Sequence, residues 1–136
     1  MEGHQAPSGP TILYVDDDRL LVKLCCDVLE SHGYRTLIAT DGIMGIEAAR
    51  EARPDLILLD VMMPEMDGLE VCRRLRADPL FCRTPIVLLT SIQDLAIDAK
   101  GLKAGADRVL RKQFSSLEIV TAIQEILAEK TSSETE

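Results

Sequence analysis

Residues 55–60 read Asp-Leu-Ile-Leu-Leu-Asp, four consecutive apolar residues between two carboxylates. A short apolar run without polar alternation is typical of a strand buried on both faces, as in a parallel sheet covered by helices. Similar runs lie at 11–15 and 86–90, and each of them also ends in polar residues. The sequence therefore predicts a parallel sheet whose central strands carry polar side chains at their ends.

Segments with helical periodicity separate these apolar runs. Strands are predicted at 11–15, 34–39, 55–60, 86–91 and 108–111, and each is followed by a helix. Strict alternation of strand and helix in a short chain gives parallel strands joined by right-handed crossovers, with helices on both faces. We therefore predict an α/β fold, a doubly wound five-stranded parallel sheet with five helices.

The first and last helices are each predicted to bury one apolar face. In the first helix, which should end at a left-handed Gly33, the apolar residues are Leu20, Leu21, Leu24, Val28 and Leu29. In the last helix, 115–129, the apolar stripe consists of Leu117, Val120, Ile123 and Ile126. The connection 77–84 is predicted to be a surface loop.

The composition is that of one acidic domain. The chain has 136 residues, and its 15 Lys and Arg against 23 Asp and Glu give a formal net charge of −8. Such a charge argues against direct nucleic-acid binding. With 46% hydrophobic but only 3% aromatic residues, the core must be built from aliphatic side chains.

The ends of the chain and its cysteines indicate a cytoplasmic protein without a membrane span. No apolar run approaches the roughly 20 residues that cross a bilayer, and residues 1–10 lack the pattern of a signal peptide. We expect a flexible leader at 1–10, one domain at 11–129 and a polar tail at 130–136. The four cysteines have no C-x-x-C spacing and are expected to be reduced thiols.

The predicted strands deliver a particular set of side chains to their carboxyl ends, where open parallel sheets bind ligands. These side chains are Asp16 and Asp17 after the first strand, Asp60 after the third, Thr90 after the fourth and Lys112 after the fifth. Three carboxylates at one edge repel each other unless a hard divalent cation neutralises them, and Mg²⁺ is the natural choice.

The same set of side chains is suited to phosphoryl transfer. That reaction needs an in-line nucleophile and charges that stabilise the equatorial oxygens. Asp60, alone at the end of a central strand, is the best nucleophile, while Asp16 and Asp17 are better suited to hold a cation. Lys112 and the Thr90 hydroxyl can hold the phosphoryl oxygens.

Several motifs together resemble the receiver domain of two-component response regulators. They are Ile-Leu-Tyr-Val-Asp-Asp-Asp from residue 12, Pro-Asp-Leu-Ile-Leu-Leu-Asp-Val-Met-Met-Pro-Glu-Met-Asp-Gly from residue 54, Pro-Ile-Val-Leu-Leu-Thr-Ser from residue 85, and Gly-Ala-Asp from residue 105 followed by Lys112. The likeness covers residues 11 to about 129. It implies a flavodoxin-like strand order, 2-1-3-4-5.

The resemblance also implies a role for each residue of the site. Asp60 would accept a phosphoryl group from a histidine kinase, from a phosphotransfer protein or from acetyl phosphate, and Thr90 and Lys112 would contact its oxygens. Asp17, Asp60 and the Met62 backbone carbonyl would ligate Mg²⁺, with Asp16 acting mostly through bound water. The chain would then be a signalling phosphoprotein that changes its binding to an unknown downstream protein, and not an enzyme with a separate substrate.

The chain departs from the family pattern beside the site. Gln113 follows Lys112 where relatives carry proline, so we predict a trans bond there, because a cis bond before a non-proline residue costs about 3–4 kcal/mol. Val109 replaces an aromatic residue, so phosphorylation is expected to be read out through the loop and helix after Thr90, or through the change of charge at this edge of the sheet, rather than through a moving ring. Met62 and Ile92 are apolar where many relatives carry polar side chains, which predicts slow self-dephosphorylation.

Two other functions remain compatible with the residues. One is a receiver-like interaction module that works without phosphorylation. The other is a hydrolase with an aspartyl-phosphate intermediate, although position 62 is Met where the haloacid-dehalogenase type requires a second Asp.

Overall fold

The computed structural model describes residues 8–113 and 115–135, with five strands, five α-helices and one short 3-10 helix. The strands are β1 (Thr11–Val15), β2 (Arg35–Ala39), β3 (Leu56–Asp60), β4 (Ile86–Thr90) and β5 (Arg108–Arg111). The α-helices are α1 (Arg19–Ser31), α2 (Gly42–Ala52), α3 (Gly68–Arg76), α4 (Ala96–Ala104) and α5 (Ser116–Thr135).

The strands form one parallel sheet in the order β2-β1-β3-β4-β5. This arrangement confirms the predicted doubly wound fold and its strand order. The order places β1 and β3 side by side at the centre, where the chain reverses its direction of winding, which is where ligands bind in sheets of this kind. Among the described helices, none is long and apolar enough to cross a membrane.

The side chains of the central strands alternate between two core layers. On one face, residues such as Leu13, Ile57 and Leu88 pack with α2, α3 and α4. On the other face, residues such as Tyr14 and Leu58 pack with α1 and α5. Burial on both faces explains why the strand residues of β3 and β4 are apolar without alternation until their last position.

The apolar faces of α1 and α5 differ from the prediction. Leu20 and Leu24 are 71% and 52% exposed, and Leu117 is also exposed, whereas Val120, Ile123 and Ile126 are buried as predicted. The buried face of α1 consists of Val22, Cys25, Cys26 and Leu29. The two cysteines act there as small apolar side chains, so the face lies to one side of the stripe that the leucines suggested. Gly33 has a φ of +93°, as predicted for a left-handed helix end.

The cysteines are free thiols, as expected. Cys25, Cys26 and Cys72 are buried and Cys82 is exposed. Burial raises the pKa of Cys26 and of Cys72 to about 11, so both remain protonated at neutral pH. A thiol with a raised pKa is a poor nucleophile, which fits a packing role for these side chains.

The connection 77–84 is not the simple surface loop that was predicted. It contains a 3-10 helix, Pro79–Phe81, and the ring of Phe81 is 1% exposed in the core layer of α2, α3 and α4. The Arg76 guanidinium holds the connection by donating hydrogen bonds to the carbonyl oxygens of Phe81 and Thr84. The burial of Phe81 was not predicted, because a single aromatic residue in so short a connection carries no periodicity.

The ends of the described chain also differ from the expectation. The Gly9 amide donates to the Gly33 carbonyl and the Arg35 amide donates to the Pro10 carbonyl, both at 2.9 Å, so the last part of the predicted flexible leader is attached to the sheet. Residues 1–7 lie outside the described residues. The last helix continues through Thr135, beyond Glu129 where we expected it to end.

The burial of Phe81 predicts a large effect of its removal. Phe81→Ala should lower the free energy of unfolding by about 3–5 kcal/mol, because it removes a buried ring and leaves a cavity. The neighbouring Leu80→Ala is the matched control, since Leu80 is 48% exposed and should change stability little. Urea unfolding of both variants measures the difference. Equal effects of the two substitutions would contradict the packing described here.

Candidate functional site

The sheet register brings Asp16 and Asp60 together. Val15 pairs with Leu59, so the next residue on each strand, Asp16 after β1 and Asp60 at the end of β3, lies at the same edge of the sheet. Asp16 is 0% exposed and Asp60 is 2% exposed, while Asp17 is exposed. Two carboxylates are therefore buried beside each other, with a third at the surface next to them.

Lys112 neutralises part of this charge. Its Nζ lies 3.1 Å from an oxygen of Asp16 and 3.1 Å from Oδ1 of Asp60, so one ammonium group bridges the two buried carboxylates. The Lys112 amide donates to the carbonyl of Thr90 at 2.8 Å, which fixes the backbone from which the side chain extends. Charge-assisted hydrogen bonds of this kind are stronger than neutral ones.

Asp16 has two further donors. The Asp18 amide donates to its Oδ1 at 2.9 Å, and the Tyr14 hydroxyl donates to its Oδ2 at 2.9 Å. Tyr14 is not among the residues that were predicted for the site. The signal was present, because residues two apart on a strand share one face of the sheet, and a tyrosine two residues before a buried Asp can reach it.

Thr90 is the last residue of β4, and Met62 lies in the loop after Asp60. Thr90 is buried at the end of β4, and its Oγ1 accepts a hydrogen bond from the Ile92 amide at 3.0 Å. The Met62 amide is 3.3 Å from Oδ1 of Asp60, to which it donates. The side chain of Met62 is exposed and that of Met63 is buried, so only Met63 has a packing role.

The loop after Asp60 turns back closely on the strand. A Cβ at Gly68 would lie 2.2 Å from the backbone oxygen of Asp60, so no larger residue fits without a shift. The Gly68 amide donates to the Val61 carbonyl at 2.8 Å, and Asp67 caps α3 by accepting from the Glu70 amide. Gly68 therefore holds the start of α3 against the end of β3 and shapes the loop that carries Met62.

The two departures beside Lys112 have simple structural consequences. The described residues contain no cis peptide bond, so the bond between Lys112 and Gln113 is trans, as predicted. Val109 is half-buried and packs against the core layer of α2, α3 and α4. A Cβ at Gly101 of α4 would lie 2.6 Å from a Val109 methyl carbon, which shows how closely α4 approaches β5.

The environment of Asp60 disfavours its charged form. Burial and then the charge of Asp16 raise the pKa of Asp60 from 3.8 to about 7, although Lys112 acts in the opposite direction. Burial alone would lower the pKa of Lys112, but the carboxylates of Asp60 and Asp16 outweigh it and raise the pKa. Lys112 therefore stays charged, while the metal-free site holds more negative charge than one ammonium group can neutralise.

The donor set fits a hard divalent cation. One oxygen from each of Asp16, Asp17 and Asp60 can be chosen so that all three lie within 4.8 Å of one another. Carboxylate oxygens are the ligands that Mg²⁺ and Ca²⁺ prefer, and Mg²⁺ commonly takes one or two carboxylates and keeps several waters. The exposed Asp17 gives such an ion access from solvent.

Known proteins are similar to this chain in sequence. The family model of the response regulator receiver domain matches residues 12–124. The DNA-binding response regulator MtrA of Mycobacterium tuberculosis is 43% identical over 113 residues, which are 83% of this chain and 48% of that protein. The transcriptional regulator RpaA of Synechocystis is 38% identical over 118 residues, 87% of this chain and 49% of that protein. The chain thus spans about half the length of these relatives.

Solved structures show the same fold. A CheY-like response regulator receiver domain protein from Methanospirillum hungatei has a TM-score of 0.86 and 27% identity, covering 93% of this chain and 99% of that one. The chemotaxis response regulator CheY4 of Vibrio cholerae has a TM-score of 0.83 and 29% identity, covering 88% of this chain and 99% of that one.

The raised pKa of Asp60 predicts a pH dependence of stability. Between about pH 4 and 7 the folded chain binds more protons at Asp60 than the unfolded chain, so the contribution of this group to stability is complete below pH 4 and is lost as pH rises through 7. In the presence of a chelator, Asp60→Asn should therefore melt at a higher temperature than wild type at pH 8. This difference in melting temperature should shrink towards pH 5.

The control for this measurement is Asp27→Asn, an exposed carboxylate of α1 paired with Lys23. Thermal unfolding followed by circular dichroism at each pH should show little change for it. A wild-type melting temperature that rises between pH 5 and 8 relative to Asp60→Asn would contradict the described electrostatics.

Proposed function

Because the chain belongs to the response regulator receiver domains, a family of phospho-accepting signalling switches, we propose that Asp60 is its phosphoryl acceptor. The observation that supports this choice is the position of Asp60. It ends the central strand β3, is almost fully buried, and contacts the ammonium group of Lys112 at 3.1 Å. Asp16 is already occupied by its hydrogen-bond donors, and Asp17 lies at the surface.

In the proposed reaction, a phosphoryl group moves from a histidine nitrogen or an acetyl phosphate oxygen to a carboxylate oxygen of Asp60. A carboxylate oxygen of Asp60 attacks phosphorus as the bond to the leaving group breaks, and that bond's electron pair departs with the imidazole of a phosphohistidine or with acetate. The product is an aspartyl phosphate. Lys112 and the Thr90 hydroxyl stabilise the equatorial oxygens, on which the negative charge of the transition state is spread.

We propose Mg²⁺ as the cation of the site, with Asp17 and Asp60 as carboxylate ligands and the Met62 carbonyl as a third. Asp16 would act mostly through bound water. This role is favoured because its oxygens already contact Tyr14, Asp18 and Lys112. When bound, the cation neutralises charge on the carboxylates and on the phosphoryl group. It thereby favours the ionised Asp60 that can attack.

The phosphorylated form is proposed to be long-lived. Hydrolysis needs a water molecule that is oriented for attack. Met62 follows Asp60 by two residues and Ile92 follows Thr90 by two residues, and neither side chain carries a polar group that could orient water. The exposed thioether of Met62 adds no strong hydrogen-bond acceptor. The chain then acts as a switch with self-catalysed phosphotransfer rather than as a phosphatase.

The phosphodonor is proposed to be a histidine kinase or a phosphotransfer protein, and the output a change in binding to a downstream protein. DNA binding is stated for several full-length relatives such as MtrA, and we assign none to this chain, whose net charge is −8. The proposal places the chain in the cytoplasm, where thiols stay reduced.

The proposed readout begins at Thr90. Its Oγ1 accepts from the Ile92 amide, so a Thr90 hydroxyl that turns towards a phosphoryl group changes the environment of that amide. The segment 92–95 leads directly into α4, and α4 packs against β5. Because Val109 provides no aromatic ring to move, the segment after Thr90 is the part of this edge that can change.

Phosphorylation itself is tested by intact mass after incubation with acetyl phosphate and Mg²⁺. Wild type should gain the mass of one phosphoryl group, and Asp60→Asn and a magnesium-free sample should not. Decay after removal of the phosphodonor should be slow, and a lifetime of seconds would contradict the proposed lack of water-orienting groups. No gain in wild type and no binding of beryllofluoride would instead indicate an interaction module that works without phosphorylation.

The readout is tested by backbone amide NMR with beryllofluoride and Mg²⁺. The amides of residues 92–105 should shift on addition of beryllofluoride, whereas amides in the distant 3-10 helix Pro79–Phe81 should not. The Thr90→Ala variant should lose most of the shifts in 92–105, because it lacks the hydroxyl. Unchanged amides throughout this segment in wild type would contradict the proposal.

A further inference from the structure

Tyr14 contacts the site through Asp16, and the proposed chemistry does not use it. Its side chain is 0% exposed in the layer between the sheet and α1 and α5, and its hydroxyl lies 2.9 Å from Oδ2 of Asp16. Burial, and then the charge of Asp16, raise the pKa of Tyr14 above its ordinary range, so the phenol stays protonated and acts as the donor. Tyr14 therefore provides Asp16 with a permanent neutral partner.

Asp16 depends on its donors because water does not reach it. A fully buried carboxylate is strongly destabilised unless hydrogen bonds or an opposite charge compensate for the lost hydration. The described donors are the Tyr14 hydroxyl, the Asp18 amide and the Lys112 ammonium group. The first two donors bind Asp16, whereas Lys112 contacts both Asp16 and Asp60.

Phosphorylation creates a competition for Lys112. In the proposed function, on which this inference rests, the ammonium group moves towards the phosphoryl oxygens on Asp60. The cost of that movement is the weakening of its contact with Asp16. The cost is smaller when Asp16 keeps other strong donors, and the Tyr14 hydroxyl binds the same oxygen, Oδ2, that Lys112 approaches to 3.1 Å.

We infer that Tyr14 is a positioning residue of the receiver site, whose hydroxyl holds Asp16 and thereby frees Lys112 to bind the phosphoryl group. Tyr14 touches neither the phosphodonor nor the phosphoryl group and acts through Asp16. The alternative is that Tyr14 only fills the core, in which case its ring matters and its hydroxyl does not. The two roles differ in what the removal of one oxygen atom does to ligand binding.

The test compares Tyr14→Phe with Tyr34→Phe, the only other tyrosine of the chain. Tyr34 is also buried and belongs to the same core layer, so its substitution controls for the loss of a phenol hydroxyl. Beryllofluoride is titrated at fixed Mg²⁺ and followed by ¹⁹F NMR. Tyr14→Phe should weaken beryllofluoride binding about tenfold, the scale of one lost hydrogen bond to a charged group, and Tyr34→Phe should leave it unchanged.

A double-mutant cycle tests whether the effect passes through Lys112. Lys112→Ala weakens beryllofluoride binding by itself, and in that background Tyr14→Phe should cause no further loss, because no ammonium group is left to be shared. An equal loss with and without Lys112, or no loss in the single Tyr14→Phe variant, would overturn the inference.

A second measurement keeps the inference testable if Tyr14→Phe does not fold. In Tyr34→Phe, Tyr14 is the only tyrosine and the chain has no tryptophan, so the tyrosine absorption band, at wavelengths longer than those of the phenylalanine bands, reports on Tyr14. Addition of Mg²⁺ and beryllofluoride should shift this band as Lys112 leaves Asp16, and an unchanged band would overturn the inference. Failure of wild type to bind beryllofluoride at all would overturn the proposed function and this inference together.

Discussion

Two buried carboxylates that share one ammonium group are the constraint on which the site depends. Asp16 and Asp60 follow or end adjacent parallel strands, so the register of β1 and β3 forces them together, and only Lys112 bridges them among the described residues. The arrangement is unfavourable without a further cation, as the raised pKa of Asp60 shows. A site in which charge is poorly compensated responds strongly to a divalent ion and to a phosphoryl group.

The rest of the fold holds this unfavourable arrangement in place. Aliphatic layers on both faces make the central strands rigid, and the absence of a side chain at Gly68 lets α3 begin directly against the end of β3. At the other end of the sheet, Arg76 donates to the carbonyls of Gly105, Phe81 and Thr84 and pairs with Asp107, which joins α3 to the connections before β4 and β5. The contacts that stabilise the fold thus lie far from Asp60. The edge of the sheet that carries Asp60 can therefore hold carboxylates that repel each other.

The strands and their terminal side chains could be predicted from the sequence because short apolar runs that end in a polar residue leave few alternatives in an α/β chain. The helix faces were less predictable. Leucine is common on both sides of a helix, so Leu20, Leu24 and Leu117 were placed in the core, while Cys25 and Cys26, which are buried on α1, were not included in its apolar stripe. The burial of Phe81 was missed because one aromatic side chain in a short connection carries no periodicity. The contact of Tyr14 was missed because its partner, Asp16, had been assigned to the cation.

Chemical trapping tests most directly whether Asp60 alone receives the phosphoryl group. Borohydride reduces an acyl phosphate to an alcohol, so after treatment with acetyl phosphate and Mg²⁺ the modified aspartate becomes homoserine, which peptide mass spectrometry locates. The account predicts homoserine at position 60 only, in the peptide that contains Met62 and Met63. Homoserine at position 16 or 17, or at no position in a chain that had gained phosphoryl mass, would contradict it.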